Sequence, residues 1–185
     1  HHAAFRCRDS EETRAFYEDF LGLPLSEVLE IGITKTGREA QYLHCFYRMD
    51  DGSYLAFFEA PDMPFEFPDQ HDFNLHIALE VSGDHLRYMR QRALERGMEC
   101  RGVSDHTFIE SIYLRDPNGY VVELACKADC HDEQLDPRQN GARDRLDRWT
   151  KAKRTAGIGP DVLPGFGQVN TGAEVVGTSG ERLDT

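Results

Sequence analysis

Residues 76–81 read HIALEV, with large apolar side chains at every second position, and residues 2–7 read HAAFRC in a similar alternation. Successive side chains of a β-strand point to opposite faces, so this spacing predicts strands with one face on the core. Each stretch begins with a histidine and is followed by a helical pattern. The chain therefore contains an internal repeat of strand and helix.

Each predicted helix carries an apolar stripe and ends at a glycine. In the first half, Asp9 is predicted to cap a helix that runs to about Leu21 and ends at Gly22. In the second half, Asp84 is predicted to cap the helix that ends at Gly97.

Short strand-like segments follow each helix, and their last hairpins turn at Gly52 and Gly119. The clearest segments are residues 42–49, 54–59, 111–115 and 120–125. The pattern predicts an α+β fold of two βαβββ modules, residues 1–60 and 74–126, joined by a proline-rich linker over residues 60–72. Residues 127–185 form a C-terminal extension with one short helix around 142–154 and no periodicity after 156.

Composition excludes several classes of partner. The 185 residues carry a formal net charge of −12, which repels nucleic acid and anionic membrane surfaces. The chain has no apolar run of the roughly 18 residues that a transmembrane helix needs. Five cysteines are an odd number, typical of reduced thiols in the cytoplasm rather than of a disulfide framework.

Strand parity places metal-type side chains on one surface. His76 lies opposite the apolar face of its strand, His2 holds the same position in the first half, and Glu123 shares this parity on the last strand. Two imidazoles and one carboxylate make the facial triad that leaves open positions on Fe(II). The sequence therefore predicts a metal site of His2, His76 and Glu123.

The chain resembles the vicinal oxygen chelate superfamily of glyoxalases, bleomycin-resistance proteins and extradiol dioxygenases. The resemblance is carried by HHAAFRCRDSEETRAFYEDFLGLPL from residue 1, HIALEV from residue 76 and SIYLRDPNGYVVEL from residue 111. It implies that the modules form a curved mixed sheet around a metal, and it puts His2, His76 and Glu123 at the ligand positions. A histidine pair can also be the remnant of a purification tag, but the spacing from His2 to Asp9 fits the family.

The resemblance has an informative departure at the fourth ligand position. Glyoxalase-type members bring a further ligand from the end of the first module, where this chain has Ala56, and the nearby Glu59 has the opposite parity. We therefore expect an open site with three protein ligands. Fe(II) is the preferred metal, with Mn(II), Zn(II) or Ni(II) as alternatives.

The extradiol dioxygenases suggest further roles. Their pattern matches His106, Tyr113 and Glu123, which implies that His106 and Tyr113 assist at the substrate or bound oxygen. Where those enzymes carry an acid–base histidine this chain has Ser53, and His44 is the candidate substitute.

Three further residues are candidates for contact with the substrate. Tyr54 and Phe58 share the parity of Ala56 and would give an aromatic wall. Arg6 is expected either to pair with Glu80 beneath the metal or to bind an acidic substrate.

We therefore expect an Fe(II) extradiol-type dioxygenase that acts on a catechol-like vicinal diol. Two alternatives stay open: a glyoxalase-like lyase or isomerase acting through an enediolate, and a metal-free protein that sequesters a small molecule. The expected partners are a small-molecule substrate and further copies of the chain in a homodimer or higher homo-oligomer.

Overall fold

The two halves of the repeat fold into two modules with the same order of elements. The structure is a computed structural model that describes residues 1–33, 37 and 39–157. The described chain divides into two compact units, of which the first is His1–Cys130 and the second begins at His131. Both modules lie in the first unit.

The first module is a four-stranded sheet with a helix between its first two strands. Its elements are β1 (His2–Arg6), α1 (Ser10–Arg14), a π-helical turn (Ala15–Phe20), β2 (Leu25–Ile33), β3 (Glu39–Arg48) and β4 (Tyr54–Glu59). The strand order is β1-β4-β3-β2, with β1 parallel to β4 and the other pairs antiparallel.

The second module repeats this topology. Its elements are β5 (His76–Glu80), α2 (Gly83–Glu95), β6 (Cys100–Asp105), β7 (Ile109–Arg115) and β8 (Val121–Lys127). The strand order is β5-β8-β7-β6, again with one parallel pair, β5 and β8. The prediction of two βαβββ modules is confirmed.

The starts of the two helices show one correct prediction and one wrong one. Asp9 caps α1, since its carboxylate accepts a hydrogen bond from the Glu12 N–H at 2.8 Å. Asp84 does not cap α2; the cap is Ser82, whose hydroxyl accepts from the His85 N–H, while Asp84 pairs with Arg87 in the first turn.

The core lies between the helices and one face of each sheet. Tyr17 and Met89 are fully buried on the helical side, and Phe57 and Ile112 are fully buried on the strands beneath them. The rings of Tyr17 and Phe57 lie 4.6 Å apart. Each such side chain contributes about 1.5–3 kcal/mol by leaving water. The opposite face of each sheet points away from the helices, and we call it the open face.

A buried turn joins the two modules. The turn between β7 and β8 contains Asp116, whose carboxylate accepts from the Tyr17 hydroxyl at 3.1 Å, from the Asn118 side chain at 3.0 Å and from the Tyr120 N–H at 2.8 Å. Asn118 also donates to the Thr13 hydroxyl at 3.2 Å. Burial raises the pKa of Asp116 and that of Tyr17. The first module thus holds the turn from which β8 starts.

The second unit contains two helices in its described part, α3 (His131–Leu135) and α4 (Ala142–Thr155). The helix predicted around residues 142–154 is confirmed as α4, whereas α3 was not predicted. From residue 158 onward, the stretch that was expected to lack periodicity lies outside the described residues. Within the described part of the chain, no helix is long and apolar enough to cross a membrane.

Of the two hairpin glycines, Gly119 should tolerate substitution by alanine less well than Gly52. It has a φ of +105°, and an added Cβ would lie 2.7 Å from the Phe67 ring, whereas Gly52 has a φ of +82° and open space around it. We expect Gly52→Ala to lower the free energy of unfolding by about 1–2 kcal/mol through backbone strain. Gly119→Ala should lower the free energy of unfolding by a further ~1 kcal/mol or more, because the added Cβ would overlap the Phe67 ring. Equal losses in chemical denaturation would contradict this account.

Candidate functional site

Glu123 lies at the centre of a polar cluster on the open face of the second sheet. The residue Glu123 is 6% exposed, and its Oε1 accepts a hydrogen bond from the Ser111 hydroxyl at 2.5 Å. Oε2 lies 3.2 Å from Nε2 of His76 on the neighbouring strand. Both carboxylate oxygens therefore have partners, and His76 and Glu123, two of the predicted ligands, are in direct contact.

Tyr113 and His106 form a second pair on the same face. Tyr113 stands directly opposite Glu123 in the β7–β8 register, and its hydroxyl lies 2.8 Å from Nε2 of His106. Burial and the nearby Glu123 carboxylate raise the pKa of Tyr113, which therefore keeps its proton near neutral pH. The structure thus places a protonated phenol beside the carboxylate, next to an imidazole that can exchange a proton with it.

His2 and His44 lie together on the open face of the first sheet. Their ring centroids are 5.9 Å apart, and His44 stacks on Phe58 at 3.6 Å. His44 is only 7% exposed, its Nε2 has no hydrogen-bond partner among the described residues, and burial together with His2 lowers its pKa. The imidazole of His44 is therefore neutral and has one nitrogen without a partner.

Aromatic rings surround this pair. Phe46 lies 5.3 Å from His2 and 4.2 Å from His44, and Tyr54 lies 6.2 Å from Phe46. The open face of the first sheet thus combines two imidazoles with a surface on which an aromatic ring can stack.

The prediction of an ion pair between Arg6 and Glu80 is wrong. Arg6 donates to the carbonyl of Met63 at 2.6 Å, and Glu80 pairs with Lys127 at 3.0 Å. The two side chains belong to different sheets and each finds a partner nearby. The alternative role for Arg6, binding of an acidic substrate, stays a prediction.

The described chain brings the predicted triad only partly together. No three side chains of the His, Cys, Asp and Glu type are grouped closely enough to hold a metal ion within residues 1–33, 37 and 39–157. His76 and Glu123 meet in the second sheet, and His2 belongs to the first. Ala56 is fully buried, and Glu59 accepts from the Ser10 N–H at 2.7 Å on the helical side, away from the open face.

Several residues of the site were not assigned a role from the sequence. Ser111 and Phe46 have the same parity as Tyr113 and His44, so the strand pattern predicts their positions on the open face although it predicts no role for them. Arg101 and Arg115 also share this face, but their common partner Asp72 comes from the linker, which has no periodicity to place it.

A family model described as the Glyoxalase/Bleomycin resistance protein/Dioxygenase superfamily matches residues 1–124. The chain belongs to this superfamily. A comparison with curated proteins finds no relative.

Solved structures of low sequence identity have the same fold. A glyoxalase/dioxygenase from Nostoc punctiforme is 20% identical, with 70% of this chain and 90% of that chain covered and a TM-score of 0.53. The fosfomycin resistance protein FosX of Listeria monocytogenes, crystallised with Mn(II) and sulfate, is 16% identical over 72% and 95%, with a TM-score of 0.53. A glyoxylase/bleomycin resistance protein/dioxygenase domain from Frankia is 15% identical over 69% and 95%, with a TM-score of 0.55.

The hydroxyl of Ser111 should stabilise the protein through Glu123. Ser111→Ala leaves a buried carboxylate with one donor fewer, and we expect the free energy of unfolding to fall by roughly 1.5–3 kcal/mol. Ser53→Ala is the matched control, because its hydroxyl bonds to Asp51 in an exposed turn, and it should cost about 0.5 kcal/mol or less. The same small loss for both variants would show that Ser111 does not support Glu123.

Proposed function

We propose that this protein is a metal-dependent dioxygenase of the extradiol type, which inserts oxygen into a catechol-like vicinal diol. His2, His76 and Glu123 are the proposed ligands, with Fe(II) preferred and Mn(II), Zn(II) or Ni(II) as alternatives. The observation that carries the proposal is the contact of His76 with Glu123 at 3.2 Å, beside the hydrogen-bonded Tyr113 and His106 on the same face.

The donor set suits a divalent metal. Two imidazoles and one carboxylate are the ligands of open Fe(II) sites, and a buried carboxylate such as Glu123 is stabilised by a cation. The FosX of L. monocytogenes, which has this fold, was crystallised with Mn(II). When bound, such a metal supplies open positions for the two oxygens of a diol and for dioxygen, together with Lewis acidity.

A second copy of the chain is the proposed source of the third ligand. Within one chain, His76 and Glu123 are in contact while His2 lies in the other sheet. Both β1, which carries His2, and β5, which carries His76, are edge strands, and His2, Ala3 and Ala4 are exposed. Unpaired strand edges favour association. We therefore propose a homodimer in which His2 of one copy approaches His76 and Glu123 of the other.

The remaining residues of the open faces have proposed roles in binding and proton transfer. His44, neutral and with an unpartnered Nε2, accepts a proton from a diol hydroxyl. Tyr113 holds its proton and donates a hydrogen bond to a substrate oxygen, and His106 orients the phenol. Phe58 and Tyr54 stack against the ring of the substrate.

The state of the cysteines supports a location in the cytoplasm. Cys7, Cys45, Cys100 and Cys126 are free thiols, which agrees with a reducing compartment. We propose this location together with the function.

Oxygen uptake tests the proposed reaction. Protein loaded with Fe(II) is given a panel of catechols, and we expect dioxygen consumption together with a coloured ring-opened product. Tyr113→Phe should lower turnover about 100-fold by removing the acidic proton. The matched control is Tyr88→Phe, which changes an exposed phenol of α2 and should leave turnover unchanged.

The alternatives give different results in the same assay. No oxygen uptake with any vicinal diol would overturn the dioxygenase. Isomerisation or bond cleavage without oxygen would then identify a glyoxalase-like enzyme, and ligand binding that survives His76→Ala would identify a sequestering protein.

A further inference from the structure

Two arginines lie on the open face of the second sheet beside the candidate site. Arg101 in β6 stands directly opposite Tyr113, and Tyr113 stands directly opposite Glu123. Residues opposite one another in neighbouring strands point to the same face, so these three side chains form one row. Arg115 lies two residues after Tyr113 and therefore shares the face. We call Arg101 and Arg115 the arginine pair.

A carboxylate from the linker bridges the arginine pair. Oδ2 of Asp72 lies 2.6 Å from Nη2 of Arg101, and Oδ1 lies 3.0 Å from Nη2 of Arg115. Each oxygen is thus held by a different guanidinium, as both oxygens of a bound carboxylate ligand would be. Hydrogen bonds from Arg115 and Arg101 lower the pKa of Asp72, so it is ionised at neutral pH.

The contact that Asp72 makes is accessible to solvent. The side chains of Asp72 and Arg115 are 31% and 35% exposed, and that of Arg101 is 52% exposed. Next to Asp72, Phe73 is 85% exposed, so this end of the linker is not held by burial of its large apolar side chain. The other end is packed, with Phe67 edge-on to Tyr120 at 5.1 Å. Phe73 therefore does not anchor Asp72 to the core, and the nearest core contact on this side is that of Leu75, three residues further on.

The pair keeps a positive charge when Asp72 leaves. Glu99 also bridges the two arginines at a longer distance, since Oε1 lies 3.6 Å from Nε of Arg101 and Oε2 lies 3.6 Å from Nε of Arg115. Two arginines and one glutamate leave a net charge of +1, which matches one incoming carboxylate. Guanidinium forks are suited to planar anions of this kind.

We propose that the arginine pair is a subsite for a carboxylate of the substrate and that Asp72 occupies it until the substrate arrives. This proposal rests on the proposed function, because it names the substrate as an aromatic vicinal diol with a carboxylate at the far end of its ring. Neighbouring strands lie about 4.8 Å apart, so the backbones of β6 and β8, which carry Arg101 and Glu123, are about 10 Å apart. A single aromatic ring with a diol at one end and a carboxylate at the other fits within this span.

Binding of benzoate tests the subsite separately from the oxygen chemistry, because benzoate has a carboxylate and no diol. Isothermal titration of the full chain should show weak binding to the wild type and about five- to tenfold tighter binding to Asp72→Asn, from which the internal competitor has been removed. The double variant Asp72→Asn/Arg101→Gln should lose this gain. Asp69→Asn, which removes a charge from an exposed position of the same linker, should bind like the wild type.

The outcome is independent of whether the protein is a dioxygenase. Absence of a gain in Asp72→Asn, or a gain that persists without Arg101, would overturn the subsite even if catechols are oxidised. A gain that depends on Arg101 would support it even if they are not. A lower thermal stability of Asp72→Asn with unchanged benzoate affinity would show that Asp72 only pins the linker, and would also overturn the proposal.

Discussion

The buried carboxylate of Asp116, in the turn between β7 and β8, joins the two modules of the first unit through its hydrogen bonds. A buried carboxylate without donors would cost several kcal/mol, and the donors around Asp116 come from both modules, including the Tyr17 hydroxyl. The same turn is held to Thr13 through Asn118. Because β8 begins directly after the turn, these bonds also set the position of Glu123 relative to the first module.

From this turn the open face of the second sheet follows by alternation along the strands. Glu123 has a donor in Ser111 and a neighbour in His76. The open face of the first sheet has the complementary feature, a buried imidazole nitrogen of His44 without a partner among the described residues, next to His2. A buried polar atom of this kind needs a hydrogen-bond partner, and a hydroxyl of the proposed substrate would be that partner.

The sequence allowed the modules and the α1 cap to be predicted, and strand parity put His76 and Glu123 on one face, because each of these depends on local spacing. It misplaced the α2 cap by two residues, since Ser82 and Asp84 are both good capping residues and only the hydrogen bond to His85 distinguishes them. The π-helical turn at Ala15–Phe20 was not visible, because the stripe of Phe16, Tyr17 and Phe20 suits an α-helix equally well. The bridge from Asp72 to the arginine pair depends on the path of an aperiodic linker.

We propose that His2, His76 and Glu123 hold one metal ion between two copies of the chain. Metal analysis of co-assembled variants tests this proposal. The wild type should bind one metal per chain, and His2→Ala and Glu123→Ala alone should bind none. A mixed dimer of the two variants should recover one metal per two chains, because one of its two sites has all three ligands intact. Full metal content in either single variant would contradict the claim, and so would a mixed dimer that stays without metal.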